Sequence, residues 1–153
     1  MNTSTDRIER EILIKAPRSK VWRALADAET FGEWFGVALE GQRFEPGARV
    51  RGRITHRGYE HLAWEVWMER VEPERLLSFR WHPYAVDPAV DYSDEPTTLV
   101  EFELSDVDGG TLLRLTESGF DGIPAGRRPD AFRMNSGGWD QQMKNIEAYV
   151  AAH

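Results

Sequence analysis

The fold of this chain is decided by two stretches near its C-terminal end, TLLRLTESGF at residues 111–120 and FRMNSGGWDQQMKNIEAYVAA at residues 132–152. The first stretch alternates apolar and polar residues, which indicates a strand with one buried face. The second repeats apolar residues at helical spacing and predicts a long amphipathic helix over 129–152, with Pro129 in its first turn. A linker rich in Gly, Pro and Arg joins them, so the chain is expected to end as a strand followed by one long helix.

The predicted helix contains two consecutive glycines, Gly137 and Gly138, directly before Trp139. Each glycine inside a helix costs roughly 1 kcal/mol relative to alanine, so a pair of them needs a structural reason. We expect the helix to pass close to something bulky or to bend there, so that a larger residue would collide with the sheet, a loop or a ligand. A long helix held over a curved sheet, with a gap between the two, would supply that reason.

Composition limits the class of protein. A chain of 153 residues with 41% hydrophobic and 11% aromatic residues fits one globular domain with an ordinary core. The formal net charge of −7 argues against a nucleic-acid-binding or anionic-membrane surface. The sequence has no cysteine, which excludes disulfides, thiolate nucleophiles and cysteine metal sites. Because there is neither an apolar signal core nor a run of ~20 apolar residues, we expect a soluble cytoplasmic protein.

Alternating patterns through the rest of the chain predict an antiparallel sheet. A strand at 8–16 is followed by two short helical segments, the second with Thr30 at its predicted cap and Glu33 three residues later, as in a capping box. Further strands follow between 48 and 118, separated by turn signals. Residues 83–97 form a long acidic loop with three prolines, and loops of this length inside a compact domain often act as lids.

Several segments carry a family resemblance, namely IKAPRSKVWRALAD, RLLSFRW, VEFELSDVDGGTLLRLTESGF and the closing GGW, QM and NIEAYV. In this order and spacing they resemble the activator of heat-shock-protein-90 ATPase homologue family, which belongs to the START-like (SRPBCC) superfamily. The resemblance implies an α+β helix-grip (START-like) fold. In that fold a curved antiparallel β-sheet wraps around a long C-terminal helix, with two short helices after the first strand. It also implies a single START-like (SRPBCC) domain over residues 1–153 with an internal cavity, and the wider superfamily binds lipids, hormones or polyketides and includes a few cyclases and hydrolases.

The residues in the inward strand phases and on the helix face supply a candidate ligand-binding site. The members of this site are Ile54, His56, Trp64, Val66, Phe79, Trp81, Phe102, Leu115, Glu117, Phe120, Trp139 and Met143. The alternative interpretation of the apolar members is a filled core. His56 and Glu117 lie in otherwise apolar phases, where a buried ionisable group needs a partner. We interpret them as polar anchors for a ligand hydroxyl or carbonyl; they could instead reach water at strand ends or pair with each other.

These observations favour a protein that binds a small hydrophobic molecule, of lipid, polyketide or aromatic type, in a cavity between the sheet and the C-terminal helix. One alternative is a cavity enzyme, a cyclase or hydrolase that uses Glu117 and His56 as acid and base. Another is a co-chaperone-like module whose surface contacts a larger protein. The sequence has no serine nucleophile elbow and no metal-ligand spacing. We therefore assign no catalytic residue, metal or cofactor, and expect neither a nucleic-acid partner nor membrane insertion.

Overall fold

The computed structural model describes residues 6–87 and 89–153. In this part of the chain, seven strands form one antiparallel sheet of order β1-β7-β6-β5-β4-β3-β2, with three α-helices and one short 3-10 helix at Phe120–Gly122. The elements are β1 Arg7–Ile14, α1 Arg18–Ala26, α2 Ala28–Phe35, β2 Val37–Ala38, β3 Arg49–Ile54, β4 Ala63–Glu72, β5 Leu76–Trp81, β6 Thr98–Val107, β7 Gly110–Ser118 and α3 Arg128–Ala152. This confirms the expected helix-grip fold. None of the helices in the described ranges is both long enough and apolar enough to cross a membrane.

Strand β7 presents the polar group around which the site is built. It pairs with β1 along one edge and with β6 along the other, so its backbone is satisfied on both sides. Its inward phase of Leu113, Leu115 and Glu117 is fully buried. The phase predicted from the sequence is therefore confirmed, and Glu117 lies on the buried side of the sheet beside Val100 of β6.

Helix α3 packs its apolar face against the sheet. Pro129 lies in its first turn, as expected, where the missing N–H costs no helical hydrogen bond. Trp139, Met143, Ile146 and Val150 recur at intervals of three and four residues and are all buried. They join a continuous core of apolar side chains from the sheet and the short helices, so much of the space between the sheet and α3 is filled.

Gly137 and Gly138 do not mark a close approach to the sheet or to a loop, so that part of the expectation is wrong. A Cβ atom built on either glycine would meet no heavy atom within 4 Å. Close contacts do require glycine elsewhere: an added Cβ would lie 2.2 Å from the carbonyl oxygen of Val37 at Gly32 in α2, 2.3 Å from that of Ala38 at Gly52, and 2.2 Å from that of Ile14 at Gly110. The close approaches that exclude a side chain therefore lie at α2 and at strands of the sheet, and not at the two glycines of α3.

Helix α2 ends at Phe35 and fixes the position of this side chain. The cap of α2 is Asp27, whose side chain accepts a hydrogen bond from the Thr30 N–H at 3.0 Å, so the predicted capping box beginning at Thr30 is wrong. The helix ends at Gly36, which has a left-handed conformation with φ of 98°. The Gln142 side chain of α3 donates a hydrogen bond to the Phe35 carbonyl at 2.8 Å. This bond ties the end of α2 to α3 beside Phe35.

Candidate ligand-binding site

A pocket of about 570 Å³ lies where the middle of the sheet is interrupted. Strand β5 ends at Trp81. Pairing between β4 and β5 begins at Trp67 of β4, which lies opposite Arg80. Residues 63–66 of β4 therefore have β3 on one side and no β5 partner on the other. The pocket occupies this gap. Six of its lining residues are aromatic, namely Phe35, Trp64, Trp67, Trp81, Tyr84 and Tyr92.

The segment between β5 and β6, residues 82–97, covers this pocket and is called the lid loop below. It contributes Tyr84 and Tyr92 to the pocket wall, together with His82 and Asp91. The His82 ring nitrogen Nε2 lies 3.1 Å from the carbonyl oxygen of Glu95, which links the two ends of the loop. The sequence-based suggestion of a lid over residues 83–97 agrees with this arrangement.

One arginine holds both ends of the lid loop. Arg127 lies just before α3 and donates hydrogen bonds to the carbonyl oxygens of Pro83 at 3.0 Å and Tyr84 at 2.9 Å. The same guanidinium pairs with the Glu95 carboxylate at 2.9 Å and lies over the Tyr92 ring, 4.7 Å from its centroid. Tyr84 has a positive φ of 51°, which is unusual for a bulky residue, so the arginine supports a strained backbone position.

Glu117 is fully buried beside the pocket and accepts hydrogen bonds from four side chains. Oε1 accepts from Trp139 Nε1 at 2.7 Å, and Oε2 accepts from Trp81 Nε1 at 2.7 Å and Thr98 Oγ1 at 2.6 Å. Asn135 Nδ2 donates to both oxygens, at 3.0 and 3.1 Å. Indole N–H and amide NH₂ groups only donate, so this set of partners suits a carboxylate that only accepts.

The indoles that Glu117 holds form part of a second, smaller pocket. Trp81 and Trp139 are stacked with their ring centroids 5.8 Å apart, and Phe35 lies 6.2 Å from Trp81 and 6.1 Å from Trp139. A space of about 100 Å³ adjoins these three rings and is also lined by Gly138. Phe35 and Trp81 line both pockets, so the small pocket lies beside the large one.

The remaining polar groups of the large pocket lie toward its outer wall. Arg49 pairs with Glu65 at 2.6 Å, so these two charges neutralise each other. Asp91 accepts a hydrogen bond from the Ser93 backbone N–H, which holds the pKa of this exposed carboxyl below its usual value. Deeper in the wall, the Trp64 indole nitrogen is buried and has no hydrogen-bond partner among the described residues. An unpaired buried N–H is costly, so a ligand acceptor that reached it would gain a hydrogen bond.

The structure divides the predicted site residues into three groups. Ile54, Trp64 and Trp81 line the large pocket, and Trp139 lines the small one together with Trp81. Glu117 lines neither pocket but accepts hydrogen bonds from Trp81 and Trp139, which do. The remaining apolar members belong to the buried core and line neither pocket: Val66, Phe79, Phe102, Leu115, Phe120 and Met143.

His56 lines neither pocket and reaches water beyond a strand end, which was the alternative interpretation of this residue. The residue lies on the exposed turn after β3, which ends at Ile54, and its ring is in contact with Tyr59. Strands β4, β5 and β6 separate β3 from β7, so His56 cannot pair with Glu117. The acid–base pair that the enzyme alternative requires is therefore not assembled in this structure.

Sequence reasoning missed several residues that line the pockets. Phe35 comes from the end of α2, and Tyr84 and Tyr92 come from a loop with no periodic pattern. Asn135 could have been found, because it lies four residues before Trp139 and therefore on the same face of α3. No group of three or more His, Cys, Asp or Glu side chains in residues 6–87 and 89–153 is placed to hold a metal ion.

Solved structures with this fold are numerous, and 185 chains match. Protein MLL2253 from Mesorhizobium loti has a TM-score of 0.72 at 25% identity, over 95% of this chain and 97% of its own. Protein NE0264 from Nitrosomonas europaea has a TM-score of 0.73 at 18% identity, over 99% and 98% of the two chains. DynU16, from the dynemicin biosynthetic locus, has a TM-score of 0.72 at 22% identity, over 95% of this chain and 47% of its own.

The comparison with curated proteins finds no match. A family model does match, over residues 15–151, and its description is Activator of Hsp90 ATPase homolog 1-like protein. The match covers most of the chain, including the short helices, the strands that frame the large pocket, the lid loop and α3. This chain therefore belongs to the Activator of Hsp90 ATPase homolog 1-like family.

Proposed function

We propose that this protein binds a small hydrophobic molecule with an aromatic body in the large pocket beneath the lid loop. The observation that carries the proposal is the pocket of about 570 Å³, whose wall includes three tryptophans. Pockets of roughly 300–1,000 Å³ with mostly apolar walls and a few polar groups are typical of small-molecule sites.

The site differs in position from the cavity that the sequence suggested. Phe79, Phe102 and Met143 fill the middle of the interface between the sheet and α3. The open volume lies instead at the end of β5, with Asn135 as the residue of α3 that lines it. A ligand of the proposed kind would stack against tryptophan rings under the lid loop and leave the core unchanged.

Two alternatives have less support. The enzyme alternative depended on Glu117 and His56, and these residues lie apart. The protein-interaction alternative expects a filled cavity, whereas the aromatic pocket is open. Binding of a small molecule needs neither a catalytic pair nor an apolar docking surface.

The proposal is tested by titrating the protein with N-phenyl-1-naphthylamine, a neutral aromatic probe, and following the probe and tryptophan emission. We expect saturable binding at one site. Ala85→Phe, which places a ring in the large pocket, should weaken binding at least tenfold. Ala89→Phe lies on the same loop but does not line the pocket, so it serves as the matched control. Linear, unsaturable uptake, or equal affinities for both variants, would refute the proposal.

A further inference from the structure

We infer that the small pocket beside Phe35, Trp81 and Trp139 is the subsite for a cationic group of the ligand, an alkylated ammonium. This inference rests on the proposed function, because it concerns one end of a ligand whose body occupies the large pocket. It adds the charge and the chemical class of that end.

The shape of the small pocket suits a compact head group. Its volume is about 100 Å³, and a water molecule takes up about 30 Å³ in the liquid, so the space holds a group of only a few heavy atoms. Three aromatic rings form part of its wall, with centroids 5.8 to 6.2 Å apart, and the rest of the lining comes from α3 through Met134, Asn135, Gly138 and Gln142. Gly138 leaves one side of the space without a side chain. Clusters of aromatic rings of this kind recognise alkylated ammonium groups through their π faces.

The charge behind these rings is negative. The indole nitrogens of Trp81 and Trp139 both donate to the Glu117 carboxylate, at 2.7 Å each. Hydrogen bonds in a buried network polarise their members, so donation to an anion draws electron density toward the faces of the two indoles. Ring faces with more electron density attract a cation more strongly. The carboxylate and the indoles therefore act together on a group placed against the rings.

No protein cation offsets this charge within the described residues. The ion pairs formed in residues 6–87 and 89–153 do not include Glu117, whose partners are neutral donors. The arginines around this region pair with other carboxylates: Arg127 with Glu95, Arg10 with Asp140, and Arg49 together with Arg51 with Glu65. A buried carboxylate without a counter-charge creates a negative potential in the space next to it. An ammonium group in the small pocket would supply the missing positive charge.

The test compares two phenols of the same shape, (4-hydroxybenzyl)trimethylammonium and its uncharged carbon isostere 4-neopentylphenol. Both are measured by displacement of N-phenyl-1-naphthylamine from the wild-type protein. We expect the cation to bind at least tenfold more tightly, and to shift the indole N–H resonances of Trp81 and Trp139 in nitrogen-15 spectra. Gly138→Ala, which adds a methyl group to the small pocket, should remove this preference. Gly137→Ala does not line the pocket and should keep it.

The outcomes separate this inference from the proposed function. If the isostere binds as tightly as the cation, or more tightly, the ammonium subsite is refuted while the aromatic pocket stands. If the probe binds and neither phenol displaces it, the subsite is refuted as well. If nothing binds, both proposals fall. In Glu117→Gln, the affinities for the cationic phenol and for its isostere should lie within about twofold of each other. If that variant does not fold, the comparison of Gly138→Ala with Gly137→Ala tests the ammonium subsite instead.

Discussion

The Glu117 carboxylate of β7 accepts a hydrogen bond from the Trp139 indole of α3 at 2.7 Å, across a fully buried interface. Both oxygens of this carboxylate are surrounded by donors from the sheet and the helix. A polar contact of this kind fixes the rotation of α3 relative to the sheet, since apolar packing alone tolerates small slides. The same contact sets the planes of the rings that line the small pocket.

Glu117→Gln should lower the free energy of unfolding by ~2–3 kcal/mol. The glutamine amide nitrogen must face either Trp139 and Asn135 or Trp81 and Thr98, which are donors, so at least one buried donor loses its acceptor. Urea denaturation followed by circular dichroism measures the loss. Glu103→Gln on the exposed face of β6 is the matched control and should change stability by less than about 0.5 kcal/mol. An equal effect of the two substitutions would contradict the role of Glu117.

Thr98→Val should cost about 1–2 kcal/mol of stability, because it keeps the shape of the side chain and removes the hydroxyl that donates to Glu117 at 2.6 Å. Thr98 is fully buried, so water cannot replace that donor. Chemical denaturation of the variant gives the value. Stability equal to that of the wild type would mean that the remaining three partners satisfy the carboxylate without the hydroxyl.

Arg127→Ala should open the lid loop. The substitution removes the ion pair to Glu95 and the bonds to the carbonyls of Pro83 and Tyr84. Hydrogen bonds to a charged group are worth about 1.5–3 kcal/mol each, so opening should increase roughly tenfold or more. Amide hydrogen exchange and limited proteolysis within residues 82–97 report this opening. Arg133→Ala, which removes an exposed pair with Asp130 at 3.2 Å, should leave both unchanged.

Gly137→Ala and Gly138→Ala should each raise the stability of the protein without ligand, by up to about 1 kcal/mol, because an added Cβ meets no heavy atom within 4 Å at either position. Thermal unfolding followed at 222 nm measures the gain. A drop in melting temperature for either variant would restore the close-approach interpretation of this glycine pair.

Tyr149 should give stability a pH dependence in the alkaline range. Burial and hydrogen bonding to the Glu33 carboxylate raise the pKa of Tyr149 above its ordinary value of 10.0. A raised folded-state pKa means that the contribution is complete below about pH 10 and is lost as the pH rises through the folded-state pKa. Urea denaturation between pH 8 and pH 11 should show this fall for the wild type. The fall should be smaller for Tyr149→Phe, and identical slopes would exclude Tyr149 as its cause.

The fold could be predicted from the sequence because apolar residues alternate along the regular strands and recur at helical spacing along the regular helices. The alternation of β7 placed Glu117 inside, and the helical spacing of α3 placed Trp139 and Met143 against the sheet. The alternation of β3 did not predict the orientation of His56, because the strand ends two residues earlier, at Ile54. Beyond the end of a strand, alternate residues no longer point to the same face. The position of the large pocket could not be predicted, because it depends on how far β5 runs alongside β4.

The gap beside β4 has a consequence for self-association. Residues 63–66 form a strand edge with no β5 partner, and such edges can recruit a strand from another molecule. The lid loop crosses this region with prolines and four acidic residues, which are the features that discourage edge-to-edge pairing. We therefore expect the loop to disfavour pairing of this edge with a strand of another molecule, whether or not the pocket is occupied.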